Sequence, residues 1–534
     1  MSLSRYQASM VLAGVGDSMG YFHGKWEFNF QTEKIHKELY ELTNGEGIKA
    51  LHLKGKDWLV SDDTVMMMAT AIALLSLTKK REKIKKEKFS INQMKKKMKM
   101  KIQKEKSNKE SNKEPNKESN QKSNKELNKE SNKNQIKNQI KNQIKNQIKN
   151  QIKNQIKNQI KNQIKNQIKN QIKNQIKNQI KNQIKNQIKN QIKNQIKNQI
   201  KNQIKESNKE SNQKSNQKSN QKSNQKSNQK SNQHSNQKSN QQNFDYLPIN
   251  KNLYVNIARE YVRSFGNMRG RSPGLKSKAS LKRIATLPGK YWCIIPFDSK
   301  AGGCGAAMRA TPIGLAFPNL ETQIEKLISI SIESGRITHH HPSGYLGALA
   351  AALFTSYAIN DIPIYEWGRK LINEIIPKAK EYLEKSGREV EKNLLTMEYF
   401  IRIWKTYLEE RNLLEGEIGF EKINWPKKYH EDHKIRDNWI KSVSYSGWGG
   451  SSGHDSTLIA WDCLLAAQSD WENLCLRFLC GGDSDSIGVL AGAWYGAVYG
   501  FDENVPKLNY EDLEYFDKLM EIGSDLFDLS QKQF

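Results

Sequence analysis

The chain has 534 residues, with 87 Lys or Arg against 56 Asp or Glu and a formal net charge of +31. That excess invites a nucleic-acid reading, but 46 of the basic and 10 of the acidic side chains lie between Lys79 and Asn243. The other 369 residues keep 41 basic against 46 acidic side chains, so the part able to fold is mildly acidic and long enough for one large domain or two.

Five cysteines (Cys293, Cys304, Cys463, Cys475, Cys480), odd in number and without C-x-x-C spacing, point to reduced thiols inside a cell. The first helical pattern, Tyr6–Met19, has an apolar run broken by Gly14 and followed by Asp17, and does not read as a secretory signal. No stretch approaches the roughly 18 uninterrupted apolar residues of a membrane helix. The expectation is a soluble, cytoplasmic, monomeric protein that meets no membrane. Lys85-Lys86 and Lys95-Lys96-Lys97 loosely resemble nuclear-import patches.

Next along the chain comes Ser61-Asp62-Asp63-Thr64, running straight into the apolar stretch Val65–Leu75 and so opening a helix over Asp63–Leu77. Its counterpart, Gly481-Gly482-Asp483-Ser484-Asp485-Ser486, opens another over Ser486–Tyr499. Ser and Asp are good N-caps, and acids favour the positive end of a helix, so each motif taken singly reads as a cap. Two such clusters, with four carboxylates, several hydroxyls and no Lys or Arg inside them, instead call for a cation. An oxygen-only set suits a hard metal such as Mg²⁺ or Mn²⁺ rather than zinc.

Lys133 to Ile204 is eighteen copies of Lys-Asn-Gln-Ile, flanked by Ser-Asn-Lys-Glu and Ser-Asn-Gln-Lys repeats. On a helix a four-residue period turns Ile by about 40° per repeat, so no lasting apolar face forms. With one apolar residue in four, the tract cannot repay its ordering entropy. Residues 79–243 are therefore expected to be a disordered low-complexity insertion in one discontinuous domain, 1–78 with 244–534. Nucleic acid is expected to meet it only non-specifically, through charge.

Beyond the insertion the apolar spacing stays helical. Helices are predicted over Leu253–Phe265, Gly305–Leu315, Leu320–Ser334, Gly344–Ile359, Ile364–Ser386, Leu394–Arg411, Ser456–Ala467, Trp471–Leu479 and Tyr510–Leu529. Gly488, Gly492, Gly496 and Gly500 recur every four residues, and since glycine costs about 1 kcal/mol in a helix the row implies close backbone contact with a neighbour. The fold class is all-α, a single compact bundle. Three glycine-rich segments stand out: Ala301–Arg309, Thr338–Gly347 and Tyr445–Asp455. The first offers backbone N–H groups for a phosphate at a helix start, although a loop needing positive φ looks the same. In the second, three consecutive histidines (His339, His340, His341) fit substrate contact by one or two of them better than a zinc site.

At this point a resemblance becomes legible. Gly16–Tyr21 with Gly24–Phe28, Val60–Met66, Gly302–Arg309, Ser334–Pro342, Ser444–Asp455 and Gly481–Ser486 are similar, in the same order, to the motifs of the ADP-ribosylarginine hydrolases, which remove ADP-ribose from arginine side chains. The resemblance covers roughly the 370 residues outside the insertion, and it implies an orthogonal all-α bundle with two Mg²⁺ ions in a cleft. Ser61, Asp62, Asp63, Asp483, Asp485 and Ser486 would be the metal ligands. The ADP-ribose pocket would draw on Ser280, Gly302, Gly303, Cys304, Arg309, His339, Tyr345, Leu346, Gly347, Tyr445 and Ser451. The stretch around Ser280 is poorer in glycine than the family form. Asp62 and Asp63 would act in catalysis, with Asp63 or Glu27 handling the leaving-group proton, and Trp26 and Trp448 are aromatic candidates for stacking. The implied partners are ADP-ribosylated proteins and ADP-ribose. The rivals are a sister branch acting on ADP-ribosylserine or O-acetyl-ADP-ribose and, from another class, a polycationic nucleic-acid-binding or scaffold protein.

Overall fold

The structure, a computed structural model, describes residues 2–76, 246–249, 251–286 and 292–532. The chain divides into Met1–Lys97 with Ser239–Phe534, and Met98–Lys238. The second unit, the expected boundaries at 78/79 and 243/244, and the disorder expected of 79–243 lie outside the described residues.

The described residues are helical throughout, with no β-strand among them and two isolated bridges, Asn29 with Gly482 and Gly303 with Ser452. The helices, in order, are α1 Leu3–Tyr21, α2 Thr32–Leu42, α3 over 62–76, α4 Asn252–Ser264, α5 Leu275–Ala285, α6 Thr311–Ala316, α7 Leu320–Arg336 and α8 Pro342–Ile359. They continue with α9 Trp367–Lys370, α10 Ile376–Ser386, α11 Val390–Glu410, α12 His433–Val443, α13 Gly453–Ala467, α14 Trp471–Phe478, α15 Ser484–Tyr499 and α16 Phe516–Ser530. No helix among the described residues is long and apolar enough to cross a membrane.

At the centre lies α8, apolar all round and buried along its whole length, as a helix without a polar face must be. Pro342 suits its first turn, where no intrahelical N–H donor is needed, and the His341 ring caps it by accepting from Ser343 N at 3.2 Å. On α8, Phe354 gathers Trp367, Trp404, Trp461 and Trp494 at centroid distances of 5.3–5.7 Å.

The second organising contact joins α1 and α15, which run antiparallel with backbones touching. A Cβ on Gly16 would lie 2.0 Å from Gly488 O, one on Gly492 2.1 Å from Leu12 O, and one on Gly496 2.4 Å from Ala8 O. Three of the four periodic glycines therefore do what their spacing implied. The fourth, Gly500, lies past the helix end with φ +78°, a conformation glycine adopts without a steric penalty.

Two predicted helices are interrupted, both at proline. Gly305–Leu315 resolves into a 3₁₀ turn, Cys304–Ala306, and a fresh start at Thr311, because Pro312 has no N–H to carry a helix through. Ile364–Ser386 contains a π-helical stretch, Leu371–Ile375, just before Pro377, a wider turn that accommodates the missing donor. Tyr510–Leu529 begins only at Phe516. Helices α2, α5 and α12 were not foreseen: each is mostly polar and buries only two large aliphatic or aromatic side chains, although those do fall on one face.

The substitution Gly16→Ala is expected to lower unfolding stability by about 3 kcal/mol or more, through overpacking of one backbone on another. Gly266→Ala, where a Cβ meets nothing within 4 Å, should be near neutral. Denaturant titration of the two variants checks the contrast.

Candidate metal and substrate site

The close approach of α1 to α15 brings Asp17, on α1, to the start of α3. The Asp17 carboxylate accepts from Ser61 N at 3.1 Å and from Thr64 N at 3.0 Å. Asp62 N donates to Arg271 O at 3.0 Å, and Asp63 N donates to Ser61 Oγ at 3.1 Å. All four amides from Ser61 to Thr64 are thus satisfied without the carboxylates of Asp62 or Asp63. A helix leaves its first N–H groups to be met from outside, and here a neighbouring helix, a strap and a serine meet them. The cap reading of the first motif therefore holds for Ser61, whose Oγ takes the Asp63 amide as an N-cap does, and not for the acids: the carboxylates of Asp62 and Asp63 are not used in capping.

At α15 Asp483 stands at the N-cap without a side-chain cap bond, its own N–H donating to Gly449 O at 2.7 Å. Asp485 accepts from Ser486 N at 2.9 Å, and Ser486 Oγ donates to Asp63 Oδ2 at 2.9 Å, linking the two motifs directly. Glu27 arrives on the loop after α1, held by Phe28 N donating to Gly482 O at 2.6 Å. Glu27, Asp483 and Asp485 each place a carboxylate oxygen within 4.8 Å of the others.

Six carboxyls therefore face one another in a largely buried space. Burial, then repulsion from Asp485, pushes Asp17 up to about 7, Asp62 up to about 8 and Glu27 up to about 9. The same two causes hold Asp63 and Asp483 well above the carboxylate range, and burial raises Asp485. Asp485 is the leading charged neighbour of all five others, which puts it at the middle of the cluster. Arg271, the nearby buried guanidinium, is paired with Glu514 at 2.6 Å, and it and Lys278 offset only part of the repulsion, at Asp17 and Asp62. An all-oxygen set with unrelieved repulsion suits a hard divalent cation. The histidine triplet joins no such group among the described residues.

Beside the acids opens a cavity of about 630 Å³, lined by Gly302, Gly303, His341, Tyr399, Tyr445, Ser451 and His454 among others. Its volume is that of a site for a sizeable small molecule. Cys304 joins cavity to cluster: its neighbours Gly302 and Gly303 line the wall, while its thiol, kept protonated by burial and by Asp483, donates to Asp483 Oδ2 at 3.3 Å.

The remaining candidates lie behind this wall. His339 is buried beneath Gly303 and Gly305, its Nδ1 2.7 Å from Thr338 Oγ1. Ser280 donates to Thr338 O at 3.1 Å. Buried Arg309 reaches Ser334 O and Thr338 Oγ1 and lies over the Tyr261 ring. Tyr345 donates to Asn393 Oδ1 at 2.9 Å, Leu346 is buried, and Gly347 packs on the Gly453 backbone. Of the triplet it is His341 that reaches the cavity, while His340 is a core residue bonded to Ile295 O and driven by burial to about 2. Trp26 is wholly buried and donates to Glu38, whereas Trp448 is half exposed. Sequence reasoning did not single out Asp17, whose signal was an acid within an apolar helix, nor His454, whose signal was its place in the glycine-rich segment Tyr445–Asp455, nor Tyr399, whose signal was absent.

The ADP-ribosylglycohydrolase family profile matches residues 238–534. "ADP-ribosylhydrolase ARH1" of Dictyostelium discoideum is 43% identical over 283 residues, 50% of this chain and 71% of that protein. "ADP-ribosylhydrolase ARH3" of Xenopus tropicalis is 27% identical over 225 residues, 40% of this chain and 57% of that protein. A solved structure described as "ADP-ribosylglycohydrolase-related protein complex" matches at 16% identity and a TM-score of 0.35, over 52% of this chain and 74% of that one. On the span of the family match and the identity to the Dictyostelium protein, the chain belongs to the ADP-ribosylglycohydrolase family.

Proposed function

We propose that the chain hydrolyses the N-glycosidic bond between ADP-ribose and arginine side chains of proteins, reversing mono-ADP-ribosylation, with Mg²⁺ held by the acidic cluster. The observation that carries this reading is the junction at Cys304, where a nucleotide-sized cavity meets six unneutralised carboxyls. The arginine linkage is favoured by Lys25-Trp26-Glu27-Phe28 and the triple histidine, the motifs most similar to the arginine-specific branch.

In this reading Ser61, Asp62, Asp63, Asp483, Asp485 and Ser486 hold the metal. Bound there, Mg²⁺ would supply Lewis-acid polarisation and help orient a water. Gly302, Gly303, Tyr445 and Ser451 line the cavity that receives the adenosine diphosphate part, the role that Ser280, Cys304, Arg309, His339, Tyr345, Leu346 and Gly347 share or support from behind. The carboxylates stabilise positive charge as it develops on the ribose ring. Glu27 is alone among the six acids in sitting on a loop rather than at a helix end or within a helix. It is therefore the carboxyl best able to reorient toward the leaving guanidine, and Asp63, fixed by Ser486, is the alternative proton handler. Asp17 is a positioning residue, acting through the amides of α3. The second reading is a hydrolase of ADP-ribosylserine or O-acetyl-ADP-ribose, from a sister branch of the same family.

Release of ADP-ribose should be measured from arginine and serine conjugates in parallel, each with Mg²⁺ and with EDTA. Metal-dependent release from arginine alone is expected, and release from serine alone would replace the proposal by the second reading. Asp485→Asn should lower turnover by about 100-fold, the upper end for lost support at a metal site. Deleting residues 79–243 should leave activity in place, whereas a polycation-driven protein would lose its function.

Metal-free protein should also show a pH signature. Acids whose folded pKa lies above the ordinary value of about 4 bind more protons folded than unfolded between those values. Raising pH through that window therefore removes stability. With Asp17, Asp62 and Glu27 at about 7, 8 and 9, the melting temperature in EDTA should fall between pH 5 and 8.5 by on the order of 5 °C. Excess Mg²⁺ should abolish most of that fall. A flat profile in EDTA would refute the unrelieved repulsion.

A further inference from the structure

Phe28, Phe30 and Trp448 make an aromatic group on the surface. They are 38%, 40% and 49% exposed, yet the Trp448 ring centroid lies 5.6 Å from Phe28 and 5.3 Å from Phe30. Large apolar side chains gathered in the open mark a binding surface more often than chance exposure does. The rings come from two loops that fasten to one point. Phe28 N donates to Gly482 O, Asp483 N donates to Gly449 O, and a Cβ on Gly482 would lie 2.3 Å from Gly449 O. Both loops carry backbone in the left-handed region at non-glycine residues, Phe28 at φ 56° and Ser446 at φ 59°. Such conformations cost free energy and persist where the surroundings impose them, often at sites of function.

Their position is specific. Phe28 follows Glu27 directly, Trp448 accepts at its carbonyl from Ser451 Oγ at 2.7 Å, and Ser451 lines the cavity. Because the ring-bearing loops fasten beside Asp483 on one side and beside the cavity-lining Ser451 on the other, a ligand with its nucleotide in the cavity and its reacting ribose carbon at the acids has these rings on the route open to its other substituent. That substituent, on the reading proposed above, is a guanidinium. A planar, weakly hydrated cation beside aromatic faces and an acidic cluster is favoured by stacking and by the ring quadrupoles, whereas a serine linkage offers nothing for the rings to hold.

We infer that Phe28, Phe30 and Trp448 form the leaving-group subsite, holding the arginine side chain of the target protein and selecting arginine over serine conjugates. The inference rests on the arginine reading and deepens it.

Trp448→Ala and Phe30→Ala are each expected to raise KM for an ADP-ribosylarginine peptide about five- to thirty-fold, with kcat little changed. Affinity for free ADP-ribose, which lacks the guanidinium, should stay at the wild-type value by calorimetry. Trp448→Phe should restore most of the lost KM. If neither alanine variant moves KM, this inference alone is overturned. If ADP-ribose affinity falls in step with KM, the rings belong to the nucleotide pocket and the inference is equally wrong. Wild-type protein that releases nothing from arginine conjugates overturns the parent reading, and this one with it.

Discussion

The antiparallel crossing of α1 and α15 is the constraint on which the rest of the structure depends. Helices normally sit 8–10 Å apart because side chains stand between them. Here Gly16, Gly488, Gly492 and Gly496 remove those side chains and the backbones meet. The contact fixes where the end of α1 lies relative to the start of α15, and both ends carry acids. Asp17 is one residue from Gly16, and Asp485 is three from Gly488. The approach that packs the core therefore also sets Asp17 and Asp485 within reach of each other.

Around that point the helix starts of α3 and α15 supply two further carboxyls from one motif and another from the second, and the loop after α1 brings Glu27. Helix N-termini favour anions, which eases the crowding without removing it. The acids remain buried and mutually repelling, with Arg271 and Lys278 offsetting only a minor part of it. Crowded, buried acids of this kind cost the fold stability, which is the usual relation between a functional cluster and the fold around it. The aromatic group on the two loops that grip Gly482 belongs to the same arrangement, since those loops also hold Glu27 and the cavity wall in place.

Much of this was legible in the residues. The two acid-rich motifs, the glycine row and the buried character of α8 are local patterns, and local patterns survive in sequence. The failures have physical reasons. Proline at 312 and 377 broke helices that apolar spacing alone would continue. Helices α2, α5 and α12 are short and mostly polar, so their few one-sided apolar positions stand out less than those of the long apolar helices. The histidine triplet looks uniform in sequence, yet one ring caps α8 and lines the cavity, one packs under a glycine loop and one sits in the core. Direction of side chains at successive positions decides that, and composition does not report it.

What the sequence by itself determined was the chemistry on offer: an oxygen-only acidic set, glycine loops fit for close approach, helices with apolar faces, and a charge excess confined to the stretch 79–243. Motif order was enough to point to a family. Only the tertiary structure decided which groups are free to act. It assigned the amides of α3 to Asp17, Ser61 and Arg271, so that the carboxylates of Asp62 and Asp63 were not spent on capping. It also turned Arg309 and Tyr345 inward and brought Tyr399, His454 and His341 to the cavity from three separate helices or their caps. Whether a polar side chain serves packing or chemistry depends on which partners reach it, and those partners lie tens to hundreds of residues away in the chain.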